Sequence, residues 1–181
     1  MRVLAISLIL CLQACAHSPD KSLPTAENVD LERFMGDWYV IANIPTFIEK
    51  GAHNAVESYA MNEDGSIATT FRFNADSFNG EIKEYNPTGY VSADSNSVWG
   101  MQFIWPFKAE FVIAYLSPDY QHTIIARSAR DYVWVMSRSA EIDEKTYDEL
   151  INLCVAMGYQ KELIEKIPHN SKQRSNTMEL M

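Results

Sequence analysis

Gly36-Asp37-Trp38-Tyr39-Val40-Ile41-Ala42 is the stretch on which the fold turns. A glycine leads the backbone through a sharp turn, and a tryptophan follows at the head of an apolar strand. Such an indole can plug one end of a small β-barrel. The run Asp131-Tyr132-Val133-Trp134-Val135-Met136-Ser137-Arg138 is a second apolar strand, and it ends in an arginine. A guanidinium can lie flat on an indole ring while donating to nearby backbone carbonyls. Trp38 and Arg138 are therefore expected to close the barrel together.

Between these two stretches the pattern is strand after strand with turn chemistry between. Trp38–Ile44 runs toward Pro45, and Ala55–Met61 leads into the turn Asn62-Glu63-Asp64-Gly65. Ile67–Phe73, Tyr85–Ala93, Val98–Ile104, Phe111–Leu116, Gln121–Arg127 and Asp131–Arg138 follow. The period then changes. Asp143-Glu144-Lys145-Thr146 opens a helix whose apolar residues Ile142, Tyr147, Leu150, Ile151, Cys154 and Val155 recur at helical spacing, and Gly158 ends it. Leu163–Ile167 reads as a short further strand. Sequential hairpins of about eight strands predict an all-β, eight-stranded antiparallel up-and-down barrel with one C-terminal α-helix packed on its wall.

Three landmarks in order, Gly36-x-Trp38-Tyr39, Asp119-Tyr120 after Phe111–Leu116, and Arg138, make the chain resemble the lipocalin family, in its bacterial and apolipoprotein-D-like branch. Pro118 stands before Asp119, where the family often has threonine. The resemblance implies a barrel with an interior for one small hydrophobic ligand, a fatty acid or lysophospholipid being the expected guest. It implies no cofactor. The lipocalin domain is expected over residues 28–167, with a mobile tail over 168–181.

The N-terminus reads as an export signal over residues 1–14. Arg2 precedes the apolar run Val3–Leu12, which is too short to span a bilayer. Leu12-Gln13-Ala14-Cys15 resembles the bacterial lipobox, so Cys15 is the expected lipidation site and the expected new N-terminus; Gln13 is atypical there. Ordinary cleavage near Ala14 or Ala16 is the alternative. Several acyl chains on one cysteine anchor stably, because each buried methylene contributes about 0.8 kcal/mol. Ala16, rather than aspartate, follows the cysteine, which implies sorting to the outer membrane, at its periplasmic face. Residues 15–27 read as a tether.

The chain carries a formal charge of −9, and loss of Arg2 with the signal takes this to about −10. Such acidity argues against nucleic acid and against electrostatic docking on anionic lipid. Of the three cysteines, only Cys154 lies beyond the signal and its lipobox, so no internal disulfide is expected. The four histidines fall at His17, His53, His122 and His169 with no metal-ligand spacing, so no metal site is expected. No Gly-x-Ser-x-Gly elbow or phosphate loop occurs. Some lipocalins are enzymes with a cavity cysteine, but Trp38–Ala55 contains none. No catalytic residue is assigned, and the chain is expected to be a binding protein rather than an enzyme.

Strand alternation sets the expected lining. Trp38 pointing inward carries Val40, Ala42 and Ile44 with it; Arg138 carries Met136, Trp134 and Tyr132. The resemblance places Trp99, Met101 and Phe103, and Phe111, Ile113 and Tyr115, on the inner face. Thr69, Phe71 and Phe73 complete an apolar, aromatic wall. Glu57 and Tyr59 share the inward parity of Ala55 and are candidates for a polar contact to a ligand head; a register shift would turn Glu57 to solvent instead. Large alternating residues fill a barrel as readily as they line a cavity. An enzyme acting on a hydrophobic small molecule through Glu57 or His122, and a stress-related envelope protein with a filled barrel, are the alternative functions. Trp105-Pro106-Phe107 lies in a loop where apolar tips touch a membrane or the second subunit of a homodimer, or else fold back on the rim.

Overall fold

The computed structural model describes residues 22–170. Cys15, the signal, most of the expected tether and the tail beyond residue 170 lie outside the described residues. A four-residue helix, α1 (Leu31–Phe34), precedes β1 (Gly36–Asn43), β2 (Ala52–Met61), β3 (Ile67–Ala75), β4 (Ile82–Tyr85), β5 (Thr88–Ser92), β6 (Ser95–Ile104), β7 (Phe107–Leu116), β8 (His122–Ala126) and β9 (Trp134–Ser137). Helix α2 (Glu144–Ala156) and a two-residue strand, β10 (Glu165–Lys166), follow. Each strand pairs antiparallel with its neighbour, and β1 pairs with β9, which closes the barrel. Strands β4 and β5 both pair with β3 and act as one wall strand broken at Asn86-Pro87, so the wall has eight members as expected. The expected single strand Tyr85–Ala93 is split there because proline cannot donate to the ladder. Thr69 repairs the break: its backbone N–H and its hydroxyl both donate to the Pro87 carbonyl.

The closed end forms where the three landmarks meet. Gly36 has φ +91°, a left-handed conformation that a side chain resists. Trp38 is fully buried and donates its indole N–H to the Phe34 carbonyl at 2.9 Å. The Arg138 guanidinium lies 3.8 Å from the Trp38 ring centre. Its Nη2 donates to the Arg33, Phe34 and Met35 carbonyls at 2.9, 3.0 and 2.9 Å, and its Nη1 donates to the Asp37 carbonyl at 2.7 Å. The Arg33, Phe34 and Met35 carbonyls lie at the end of a helix too short to give them intrahelical partners, and the Asp37 carbonyl belongs to β1. Asp119-Tyr120 joins the same end. The Tyr120 hydroxyl accepts from the Asp30 N–H at 2.9 Å, and Arg33 sits over the Tyr120 ring at 3.9 Å.

Apolar side chains separate into two clusters. The inner one contains Phe34, Trp38, Val40, Tyr59, Ile67, Phe71, Phe73, Trp99, Phe111, Ile113 and Met136. The outer one joins the α2 residues Leu150, Ile151 and Cys154 to Ala42, Val112, Ala114, Ile124, Ala126, Val133 and Val135 on the barrel wall. Asp143 caps α2, accepting from the Thr146 N–H at 2.9 Å, and Gly158 takes φ +97° just past its end. Burial pushes the Cys154 thiol up to about 12, which suits a packing residue and not a nucleophile.

Several sequence expectations change. Ala42 and Ile44 face α2 instead of the interior, because the β1–β9 register shifts between Val40 and Ala42. Tyr115 likewise packs on the outer cluster, because β7 shifts register against β8 between Ile113 and Tyr115. Leu23 and Ala26, in the stretch read as tether, pack on the barrel, and the Ala26 N–H donates to the Ile113 carbonyl at 2.8 Å. The start of the expected tail is tied down too: His169 Nε2 lies 2.9 Å from the Val40 carbonyl, and the Asn170 N–H donates to Asn54 at 2.8 Å.

Arg138→Ala strips one cation and four carbonyl contacts from the closed end and is expected to cost about 3 kcal/mol. Arg138→Lys keeps the charge but loses the planar fork, and should recover less than half of that. Urea denaturation of the two variants beside the parent measures both.

Candidate functional site

Above the closed end a cavity of about 550 Å³ opens, its wall shared with Met101, Phe111 and Trp134 of the inner cluster. That size falls in the range of small-molecule sites. The sequence-expected residues Met101, Phe103, Phe111, Tyr132 and Trp134 line it. Phe103 is 51 % exposed, so it stands at the mouth and not deep in the wall. Thr46, Phe47, Ile48 and Glu49 from the β1–β2 loop, Tyr85, Asn86 and Pro87 from the broken strand, and Ile104, Ala109, Arg127 and Asp131 complete the lining. Sequence reasoning missed all of these. Pro87 was the available signal, since a proline inside an apparent strand marks an interruption. The loop residues carried no periodicity that could announce them.

The other expected lining residues lie below the cavity as packed core. Phe71 stacks on Trp134, with ring centres 5.4 Å apart. Phe71 also contacts Phe73 at 5.2 Å, and Trp99 stacks on Phe111 at 4.9 Å. Ile113 and Met136 are fully buried in the same cluster. Thr69 is spent on Pro87. Glu57 and Tyr59 do point inward, as their parity required, but neither lines the cavity. Glu57 pairs across strands with Trp38 on one side and Phe71 on the other, beneath the aromatic layer. The barrel is thus filled in its lower half and hollow in its upper half.

The mouth is apolar. Phe47 is 89 % exposed, Trp105 81 %, Phe107 76 % and Ile104 73 %. Strands β6 and β7 run out to a short turn at Trp105-Pro106, so these tips project outward and do not fold back on the rim. Scattered exposed apolar residues are ordinary, but several large ones around one opening mark a surface that meets something.

Polar groups inside are few. Glu49 is 4 % exposed; its Oε2 accepts from Asn43 Nδ2 at 3.2 Å and from the Thr46 N–H at 3.0 Å. Burial raises its pKa, and these donors partly offset that. The Trp134 indole N–H lies beside the same carboxylate and helps hold it down without closing a hydrogen bond to it. Arg127 is paired with Asp131 at 3.0 Å. Deeper down, both carboxyl oxygens of Glu57 and the Tyr59 hydroxyl have no hydrogen-bond partner. Burial raises the Glu57 pKa well above its ordinary value of 4.5, and the nearby Glu49 adds to this. No group of histidine, cysteine and acidic residues among the described residues is arranged to hold a metal.

Glu57 therefore keeps its proton in the folded chain at a pH where the unfolded chain has lost it. The native state binds more protons from pH 4.5 upward, so stability falls as pH rises toward the folded pKa; below 4.5 both states are protonated and the penalty vanishes. Glu57→Gln removes this titration. Its stability should match the parent most closely near pH 4, with a gap in its favour that widens through neutral pH. Urea denaturation between pH 4 and 8 tests this, and a gap independent of pH would contradict it.

Residues 29–169 match the family model described as a lipocalin-like domain. The outer membrane lipoprotein Blc of Citrobacter freundii is 24% identical over 163 residues, covering 87% of this chain and 90% of that protein. Apolipoprotein D of Macaca fascicularis is 29% identical over 147 residues, covering 73% of this chain and 72% of the relative. Among solved structures, apocrustacyanin C2 superimposes with a TM-score of 0.66 at 12% identity, covering 86% of this chain and 88% of its own, which speaks for the fold alone. With its indole–guanidinium floor, closed eight-stranded wall, single packed helix and open apolar mouth, this chain belongs to the lipocalin family, in the branch of bacterial outer-membrane lipocalins and apolipoprotein D.

Proposed function

We propose that the chain binds, stores or carries lipids or other hydrophobic small molecules in the bacterial cell envelope. The observation that carries this reading is the cavity above the packed half-barrel, walled by Met101, Phe103, Phe111 and Trp134 and open at one end only. Lipocalins generally bind small hydrophobic molecules. Acyl chains of fatty acids or lysophospholipids suit such apolar and aromatic walls. Each buried methylene contributes roughly 0.8 kcal/mol, so a long chain alone supplies micromolar affinity after the entropy of binding is met. With the floor sealed by Arg138 and Trp38, ligand enters and leaves through the crown of Phe47, Ile104, Trp105 and Phe107. Such a crown suits a lipid surface, from which a guest passes into the cavity without crossing water. A homodimer through the same crown is the competing use of these side chains.

A catalytic role has no comparable support. Glu57 has no exposed surface and lies outside the cavity wall, and His122 begins β8 at the end where the barrel is closed. The lipobox at Cys15 and the printed name of the Citrobacter relative, an outer membrane lipoprotein, favour a lipid-anchored protein on the periplasmic face of the outer membrane.

Ala109→Trp fills the cavity with an indole. It should weaken a fluorescent fatty acid by about tenfold or more while leaving the denaturation midpoint near that of the parent. Unchanged affinity would place the ligand elsewhere. Intact-mass spectrometry of protein expressed from the full gene should give a chain starting at Cys15 with acyl chains attached; a mass starting elsewhere without lipid removes the anchor from the proposal.

A further inference from the structure

The exposed side chains of the crown stand on opposite rims. In the closed wall the β1–β2 loop, which carries Phe47, lies across the opening from the β6–β7 turn, which carries Trp105 with Ile104 and Phe107 beside it. Phe47 and Ile104 both line the cavity, so the two rims flank one mouth. A flat partner touches both rims at once and covers the opening between them.

Charge is divided between the two ends of the barrel. The turns at the closed end, 62–66, 93–94 and 117–121, carry Glu63, Asp64, Asp94 and Asp119 and no lysine or arginine. The mouth is balanced: Arg127 pairs with Asp131, Lys83 pairs with Glu81, and Lys50 and Arg130 offset the charges of Glu49 and Asp76. Strand β6 covers roughly 33 Å of chain from one end to the other. Even tilted, it sets the acidic turns more than about two Debye lengths from the mouth. The N-terminal chain reaches the plane of the mouth. Ala26 bonds to Ile113, and the stretch of β7 from Ile113 back to Phe107 is roughly 20 Å. From Cys15 to Ala26 the chain spans up to roughly 38 Å when extended.

We infer that the mouth is a docking surface for a phospholipid membrane. Phe47 on one rim and Ile104, Trp105 and Phe107 on the other seat in the headgroup layer, and the acidic closed end points away from it. Tryptophan favours that layer, and the exposed Lys50 keeps its ammonium at headgroup level while its stem lies along apolar surface. An acylated Cys15 holds the chain on the same membrane. The four side chains offer on the order of 600 Å². That is below the roughly 800 Å² per partner of a standard protein interface, and it is divided between two rims. A fluid lipid surface therefore suits them better than a second copy of the chain. The inference rests on the hydrophobic-ligand reading above for the guest's route, and names the surface that route starts from.

The test uses the chain from residue 15 onward with Cys15→Ser, which contains every described residue and no acyl anchor. Co-sedimentation with phosphatidylcholine vesicles measures its partition. Trp105→Ser combined with Phe107→Ser should lower partition about tenfold or more, and Phe47→Ser alone, on the opposite rim, at least about threefold. Urea midpoints close to the parent's show that these variants fold. Exchanging about a third of the lipid for phosphatidylglycerol should change partition less than about threefold, because the acidic end is screened. Phosphatidylcholine brominated along its acyl chains should quench the parent's tryptophan emission, and Trp105→Phe should lose most of that quenching while still binding. Quenching unchanged in Trp105→Phe places the lipid against Trp134 in the cavity alone and overturns the docking. So does parent-like partition of the crown variants, or a large loss of partition on anionic vesicles. A parent that ignores vesicles yet forms a dimer that the crown variants dissolve assigns these side chains to a second copy, and overturns it too. Binding of a fluorescent fatty acid by the same parent without vesicles reads the cavity separately: it survives a failed docking, and docking survives its absence.

Discussion

The contact between Arg138 and Trp38 holds the architecture together. One guanidinium covers the indole face at 3.8 Å and gathers the carbonyls of Arg33, Phe34, Met35 and Asp37. Helix α1 is too short to satisfy its own C-terminal carbonyls, and the cation from the last wall strand does it instead. The first and last strands of the barrel are therefore joined twice, by their ladder and by this clasp. With the floor sealed, Phe34 packs on the indole, Tyr59 and Trp99 pack on Phe34, and Phe111 packs on Tyr59, and open space is left at the other end.

The wall serves two cores at once. Its inner face meets the aromatic cluster, and its outer face meets α2. Small residues Ala42, Ala114 and Ala126 on the outer face let the helix lie close, and Leu150, Ile151 and Cys154 fill the space between. Register shifts at Val40/Ala42 and Ile113/Tyr115 swap the facing of the residues beyond them. The run Phe111–Ala114 is buried at every position because both faces of the wall are covered: Phe111 and Ile113 enter the inner cluster, Val112 and Ala114 the outer one.

Polarity is graded along the barrel axis. At the bottom, Glu57 is neutral, enclosed and unpaired, a standing cost to stability beneath the Phe71–Trp134 layer. In the β1–β2 loop, Glu49 is buried but served by Asn43 and the Thr46 N–H. At the mouth, Arg127 and Asp131 neutralise each other among exposed aromatic and aliphatic tips.

Local signals in the chain were enough for the strand order and the capped helix ending at Gly158, because turn residues, period-two alternation and helical spacing act over a few neighbours; the partnership of Trp38 with Arg138, far apart in the chain, was legible from indole–guanidinium chemistry and the family resemblance. Inward parity was also legible away from the register shifts, as Glu57, Tyr59 and Phe71 illustrate. Tertiary packing decided the rest. Whether a strand bulges depends on the register its partner imposes, so Ala42, Ile44 and Tyr115 could not be placed from alternation alone. Where solid core gives way to cavity depends on how far the aromatic side chains of opposite walls reach across the barrel, which set Phe73, Ile113 and Met136 below the cavity and Phe103 at its rim. The β1–β2 loop supplies Thr46 and Glu49 to the cavity wall only because closure of β1 on β9 brings it over the barrel mouth, a long-range constraint that no local pattern encodes.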